Sequence, residues 1–232
     1  NDVTKEYSTL LLTGPKSREV LDSITKDADL TREWLTHQNA IVSGKPAKLF
    51  RISFAGELGW EIHLKFEDTP AVFGAVIKAG AKPFGMYALN SMRLEKGYRT
   101  WKGDLSTDYT LLEGGIERFI NFDKPQNFPG KAALLAEKQE GSKKRFVTLI
   151  VDTEFADAPY MSTIWFGNEV VGETTSGDWG YRVGASIAFG MVRADLSSPG
   201  TKLEVEIFGK RCNATVQKDE PLWDPKNERI RG

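Results

Sequence analysis

The chain has 232 residues, enough for two ordinary domains that each bury a core. Its hydrophobic fraction of 40% and charged fraction of 27% are typical of a globular protein. The formal net charge of −1 argues against a nucleic-acid or membrane-surface function, since both normally need a basic patch. The single cysteine, Cys212, excludes an intrachain disulfide and favours a reducing compartment.

The first part of the chain mixes strand and helix patterns. The predicted elements are, in chain order, a strand at 7–13, a helix after Pro15, a helix at 31–39, a strand at 47–54, a strand at 60–66, a helix from Thr69 and a helix around 89–97. The helix from Thr69 is expected to bury four apolar residues, Val72, Phe73, Val76 and Ile77. This mixture predicts an α+β domain over residues 1–139.

The remaining residues, 140–232, are predicted to form an antiparallel all-β barrel or sandwich. A polar, charged break at 140–145 marks the expected boundary. The predicted strands are 146–151, 163–166, 169–175, 186–192, 203–208 and 212–217. Gly167-Asn168 and Gly209-Lys210 are expected to supply hairpin turns between neighbouring strands.

Several chemistries lack the motif that they need. The chain has neither a G-x-G-x-x-G nor a P-loop sequence, so no dinucleotide or phosphate cradle is predicted. His37 and His63 are far apart in sequence and carry no zinc-ligand spacing, so no metal site is predicted. Cys212 lies in a strand pattern without a nucleophile signature, and we interpret it as an ordinary packing residue.

The side chains of Glu61 and Arg93 suggest a polar clamp for a small ligand. Glu61 alternates with Trp60 and Ile62, so its carboxylate should leave the strand opposite the core. Asn90 and Arg93 are three residues apart, which places them on one helix face. The spacing alone favours an ordinary solvated strand face for Glu61 and an ordinary helix surface for Arg93 over a ligand site.

The same residues carry a resemblance to a known family. Phe-Ala-Gly-Glu-Leu-Gly-Trp-Glu at 54–61 and Met-Arg-Leu-Glu-Lys-Gly-Tyr-Arg at 92–99 resemble the paired motifs of the aminomethyltransferase family, typified by the glycine cleavage T-protein. The closer resemblance is to the folate-binding C-terminal region of sarcosine and dimethylglycine dehydrogenases. Further stretches at 128–134, 172–177 and 221–232 follow in the family's order.

The resemblance implies a tetrahydrofolate site formed by Glu61, Arg93 and Phe54. Glu61 would accept the pterin N–H groups, Arg93 would meet the pterin carbonyl or the ligand's carboxylates, and Phe54 would supply apolar wall. Phe54 stands where the family usually has Tyr, so a hydroxyl is lost. Glu57, in the turn, is the competing acid. The family's catalytic aspartate lies before the matched region, so no catalytic residue is assigned in this chain.

The implied function is methylene transfer from an N-methyl amine to tetrahydrofolate, in a sarcosine or dimethylglycine dehydrogenase-like enzyme. The alternatives are a free-standing aminomethyltransferase or demethylase, and a non-catalytic folate-binding subunit. We expect residues 1–139 to lack the N-terminal half of their domain, which would expose an edge of the strand at 7–13. FAD would bind only in a separate N-terminal flavin domain or subunit. The expected location is the cytoplasm, or the mitochondrial matrix in a eukaryote.

Overall fold

The structure, a computed structural model, describes all residues from Asn1 to Gly232. It divides into two compact units, Asn1–Leu89 with Asp224–Gly232, and Asn90–Trp223. The domain boundary predicted between residues 139 and 140 stays a prediction. No helix in the structure is both long enough and apolar enough to cross a lipid bilayer.

The first unit contains a four-stranded antiparallel sheet with helices. Its elements are β1 (Tyr7–Thr13), α1 (Ser17–Ile24), β2 (His37–Val42), β3 (Lys45–Phe50), β4 (Gly59–Lys65), α2 (Thr69–Lys78), the first residues of α3 (Met86–Glu95), and α5 (Glu228–Arg231). The strand order is β1-β4-β3-β2, with all neighbours antiparallel. β1 therefore pairs only with β4 and presents an unpaired edge, as the sequence predicted.

The alternating pattern of β4 separates a core face from a polar face. Trp60, Ile62 and Leu64 are each at most 1% exposed and pack in the apolar core of this unit. Glu61 and His63 point to the opposite face and remain partly exposed. The period of two in the sequence thus sets the direction of the Glu61 carboxylate.

The prediction of a helix at 31–39 is wrong, because residues 31–36 form turns and irregular structure and residues 37–39 belong to a strand. β2 begins at His37 and forms a hairpin with β3. Ala40 and Val42 are buried in alternation, and Ser43 and Gly44 turn the chain with φ of 49° and 78°. Two positive φ values in succession are the geometry of a tight hairpin turn, which overrides any helical tendency before it.

Two residues expected in the core, Phe73 and Ile77, are exposed, as is Phe66 at the end of the strand predicted at 60–66. β4 ends at Lys65, and Phe66 starts a 3₁₀ turn in which it is 68% exposed. In α2 only Val72 and Val76 are buried, while Phe73 and Ile77 are 46% and 36% exposed. Phe73 and Ile77 are exposed because they border an open apolar cavity of about 550 Å³ beside β1 instead of a closed core.

The second unit is built around a closed six-stranded antiparallel barrel, which decides between the barrel and the sandwich left open by the sequence. Its strands are β5 (Lys144–Val151), β6 (Thr163–Phe166), β7 (Glu169–Gly180), β8 (Ala185–Arg193), β9 (Lys202–Ile207) and β10 (Lys210–Val216). They close in the order β10-β5-β8-β7-β6-β9. Leu149, Ile164, Val205 and Ile207 are fully buried in the barrel core. The turn between β9 and β10 is formed by residues 208–209, one residue before the predicted position.

Before the barrel, the second unit contains the rest of α3 and a helix that sequence reasoning missed. This helix, α4 (Lys131–Glu140), follows Gly130 and contains the run Ala-Ala-Leu-Leu-Ala. Such residues have high helix propensity, and this was the signal that could have located it. α3 ends as predicted, because Gly97 at φ 74° lets Tyr98 N donate to the Arg93 carbonyl at 2.9 Å.

Candidate functional site

Glu61 lies in the middle of β4, on the polar face of the sheet. Its Cα pairs with Leu11 of β1 on one side and with Phe50 of β3 on the other. Its side chain is 28% exposed, and its Oε2 lies 2.9 Å from Nε2 of His63. Its Oε1 makes no hydrogen bond within the chain. Glu61 therefore presents its carboxylate from a strand that is paired on both sides, and one carboxylate oxygen is available to a ligand.

Glu57 is the acid that competes with Glu61 for the same function. It lies in the loop between β3 and β4, and its side chain is 12% exposed. Its Oε2 is 3.5 Å from Nε of Arg229, within the same unit. An acid already opposed by a guanidinium is less available to a ligand than the open oxygen of Glu61. The geometry therefore favours Glu61 among the two acids.

Phe54 does not lie in a strand. β3 ends at Phe50, and Phe54 occupies a bend in the loop that follows, where it is partly buried. Gly56, two residues on, turns this loop with a φ of 76°, a conformation that glycine adopts without strain. A ring on such a loop can supply apolar surface, but its position depends on the loop and not on a strand register.

Arg93 is buried in the second unit and is largely committed to protein partners. Its side chain is 2% exposed. Asn90 Oδ1 accepts from Nε at 3.0 Å and from Nη2 at 2.7 Å, so the predicted shared helix face is confirmed. Nη1 donates to Tyr98 O at 3.1 Å and to Asp104 Oδ2 at 2.6 Å. A guanidinium has five N–H donors, so one Nη2 hydrogen remains.

Asp104 is the centre of this network, although no sequence motif marks it as a site residue. It is fully buried and accepts five hydrogen bonds. Oδ2 receives Arg93 and both the amide and hydroxyl of Thr100, while Oδ1 receives the hydroxyls of Thr175 and Ser176 at 2.6 Å each. Thr175 and Ser176 lie at a bulge in β7. Only tertiary pairing brings that bulge to Asp104, so the sequence pattern carried no signal.

The charge of the Arg93 guanidinium reflects two opposed influences. Burial lowers the pKa of Arg93 from its ordinary value, and the adjacent Asp104 carboxylate acts in the opposite direction. An arginine remains protonated under both influences. Arg93 therefore supplies a permanent positive charge whose position is fixed by Asn90 and Asp104.

The structure places the three predicted site residues in two units. Glu61 and Phe54 belong to the first unit, and Arg93 belongs to the second. None of the three lines the apolar cavity beside β1. The clamp of Glu61, Phe54 and Arg93 stays a prediction. No group of three or more His, Cys, Asp or Glu side chains is arranged to hold a metal ion.

Two family models together match most of the chain. Residues 1–124 match the model described as "GCVT N-terminal domain", and residues 144–224 match "Glycine cleavage T-protein C-terminal barrel domain". The chain belongs to the glycine cleavage T-protein family. This family consists of folate-dependent aminomethyltransferases and related enzymes. The second match coincides with the strands of the barrel described above.

Mitochondrial dehydrogenases are among the similar proteins. The chain is 38% identical to a mitochondrial dimethylglycine dehydrogenase of Mus musculus over 236 residues, which is 99% of this chain and 27% of that protein. It is 32% identical to a mitochondrial sarcosine dehydrogenase of Mus musculus over 245 residues, which is 100% of this chain and 26% of that protein. The chain therefore spans about a quarter of these relatives.

A solved structure shows the same fold. The crystal structure of the glycine cleavage system aminomethyltransferase T from Bartonella henselae resembles this chain with a TM-score of 0.83. The match covers 94% of this chain and 60% of that one, at 23% sequence identity. The predicted combination of an α+β part and a C-terminal β-barrel is thereby confirmed as the fold of this family.

Proposed function

We propose that this chain is the tetrahydrofolate-binding, methylene-transfer part of a sarcosine or dimethylglycine dehydrogenase-like enzyme. The observation that carries the proposal is the Glu61 carboxylate, which is held on β4 with Oε1 open. The pterin of a reduced folate presents adjacent N–H groups, and a carboxylate accepts two such donors. The donor chemistry of the ligand therefore fits the acceptor that the structure offers.

Each predicted residue has a separate role in this proposal. Glu61 accepts hydrogen bonds from the pterin, and Phe54 supplies apolar surface for its ring system. Arg93 retains one N–H beyond its internal partners, which suffices for a single hydrogen bond to a carbonyl or carboxylate. When bound, tetrahydrofolate supplies the nitrogen nucleophile that takes up the one-carbon unit, giving 5,10-methylenetetrahydrofolate.

The one-carbon unit in this proposal comes from an N-methyl amine. The two mouse relatives are named for dimethylglycine and sarcosine, both of which are N-methyl amines. We propose that an N-terminal flavin domain or subunit oxidises such an amine, and that this chain orients the acceptor and limits access of water. The names of these relatives also support the mitochondrial matrix as the proposed location in a eukaryote.

Calorimetric titration with tetrahydrofolate tests this proposal. Replacing Glu61 by Ala removes a charged hydrogen-bond partner, which costs about 1.5–3 kcal/mol, or roughly 10- to 150-fold in affinity. The matched control is Glu67→Ala, which removes an exposed acid just beyond β4 and should leave affinity unchanged. Equal affinity in the Glu61→Ala variant and the unmodified chain would remove the physical basis of the proposal.

A further inference from the structure

The imidazole of His63 contacts three side chains on the polar face of the sheet, those of Glu61, Thr9 and Phe50. Its Nε2 lies 2.9 Å from Glu61 Oε2, and its Nδ1 lies 3.3 Å from the Thr9 hydroxyl. The Phe50 ring packs beside it, with the ring centroids 4.7 Å apart and the planes tilted by 55°. A side chain restrained on three sides has little rotational freedom, although it is 33% exposed.

The strand register explains why these groups meet. Glu61 and His63 are two residues apart on β4, so both side chains leave the same face of the sheet. Thr9 stands directly opposite His63 on β1, and Phe50 stands directly opposite Glu61 on β3. The arrangement therefore follows from backbone pairing and does not depend on flexible loops.

The two hydrogen bonds define one neutral tautomer of His63. The ionised Glu61 carboxylate can only accept, so Nε2 must carry the proton and donate it. Nδ1 is then an acceptor, and the Thr9 hydroxyl donates to it. In this form His63 orients the carboxylate without neutralising its charge. Glu61 Oε2 is held, and Oε1 stays available.

We propose that His63 is a positioning residue that holds the Glu61 carboxylate in its ligand-accepting orientation. The inference rests on the proposed tetrahydrofolate site and extends it to residues outside the family motifs. A glutamate side chain that is ordered before binding loses less conformational entropy when the ligand arrives. Losing this order should weaken tetrahydrofolate binding by roughly 3- to 10-fold, less than the loss of Glu61 itself.

The chain offers a matched control in its other histidine. His37 lies on β2 and stacks on the same Phe50 ring, with centroids 5.5 Å apart. Its imidazole makes no hydrogen bond with Glu61. Replacing His37 therefore removes an imidazole that stacks on Phe50 but leaves the hydrogen bond between Glu61 and His63 in place.

The binding test compares five variants of the 232-residue chain by calorimetry with tetrahydrofolate: His63→Leu, His63→Gln, His37→Leu, Glu61→Ala, and Glu61→Ala combined with His63→Leu. We expect His63→Leu to weaken binding by the stated factor, His63→Gln to restore most of it through its amide N–H, and His37→Leu to have no effect. In a Glu61→Ala background, His63→Leu should cause no further loss, because its effect acts through Glu61. Full affinity in His63→Leu, or an equal loss in His37→Leu, would overturn the inference.

A second measurement keeps the inference separate from the proposed function. Imidazole ¹⁵N NMR of the ligand-free chain should show neutral His63 protonated at Nε2, with a shift of that nitrogen signal in Glu61→Gln. Observation of the Nδ1-protonated tautomer would overturn the positioning role whatever the chain binds. Reduced affinity in Glu61→Ala with normal affinity in His63→Leu would overturn only this inference. Normal affinity in both would overturn the proposed folate site and this inference with it.

Discussion

Glu61 and Arg93 are the two charged residues of the predicted clamp, but their surroundings in the structure are opposite. Glu61 is 28% exposed and uses one carboxylate oxygen within the chain. Arg93 is 2% exposed and uses four of its five N–H donors on Asn90, Tyr98 and Asp104. Glu61 keeps one carboxylate oxygen without a partner in the chain, whereas Arg93 is bonded mainly within its own unit.

The difference shows why residue type alone is a weak guide to function. Removing an exposed acid changes what can bind but little in the fold, whereas removing a partner of a buried charge leaves that charge uncompensated. If the comparison is sound, substitutions around Arg93 will act mainly on stability, and substitutions at Glu61 will act mainly on ligand affinity. Stability and ligand affinity therefore have to be measured separately for these substitutions.

The largest effect is expected for Asp104→Ala. The substitution leaves the buried Arg93 guanidinium without its carboxylate, which should cost about 3–5 kcal/mol of unfolding free energy. Urea denaturation followed by circular dichroism measures this. The control is Glu204→Ala, which breaks a partly exposed pair with Arg211 on the barrel and should cost less than about 1 kcal/mol. Similar losses in both variants would contradict the proposed importance of burial.

Ser176→Ala should have a smaller effect on the same network. The hydroxyl of Ser176 donates to Asp104 Oδ1 at 2.6 Å, but Thr175 still donates to that oxygen. The expected loss is about 1 kcal/mol, the net value of an ordinary hydrogen bond. Denaturation of Ser176→Ala beside Ser198→Ala, an exposed serine outside the network, measures it. An unchanged midpoint in Ser176→Ala would show that Asp104 is held without the β7 bulge.

Glu61→Ala should leave stability almost unchanged, within about 0.5 kcal/mol. Its only hydrogen bond is to a partly exposed histidine, and the core side chains of β4 lie on the opposite face. Thermal unfolding of this variant, measured alongside the tetrahydrofolate titration, separates the two effects. A large drop in melting temperature would mean that Glu61 is a structural residue like Asp104, and the comparison would fail.

The smallest effect concerns Asp195, an exposed acid of the second unit. A hydrogen bond from Arg193 lowers the pKa of Asp195 below the ordinary value of 3.8. Because the folded-state pKa is the lower one, this pair stabilises the fold above the unfolded-state pKa, and the effect disappears as pH falls through the folded-state pKa. Carboxyl ¹³C NMR titration should show Arg193→Gln raising the pKa of Asp195. An unchanged titration would show that the exposed ion pair does not form.

Much of the fold followed from local patterns. The alternation of Trp60, Glu61 and Ile62 set both the strand and the direction of the acid, and it is confirmed in β4. The six strands of the barrel agree with their predicted positions within a few residues, except that β7 continues to Gly180. The failures lie where a neighbour decides the outcome, as in β2, which pairs with β3 where a helix was expected.

The family motifs selected Glu61, Arg93 and Phe54, but not the residues that set their surroundings. Asp104 is joined to Arg93 across 11 positions of sequence and to Ser176 across 72. His63 lacks a metal-ligand spacing, but it lies only two residues from Glu61. The two-residue repeat of a strand could have indicated the pair of Glu61 and His63, since residues i and i+2 lie on the same face of a strand.

The sequence by itself determined the two-part composition, the strand periods and the face from which Glu61 leaves β4, because these depend on residue spacing along the backbone. The tertiary structure alone decided the closure of the barrel and the burial of Arg93 with Asp104. These features arise from pairings between distant segments. A buried polar group forms hydrogen bonds with the partner that tertiary packing brings close to it. The spacing of residues along the sequence does not specify that partner.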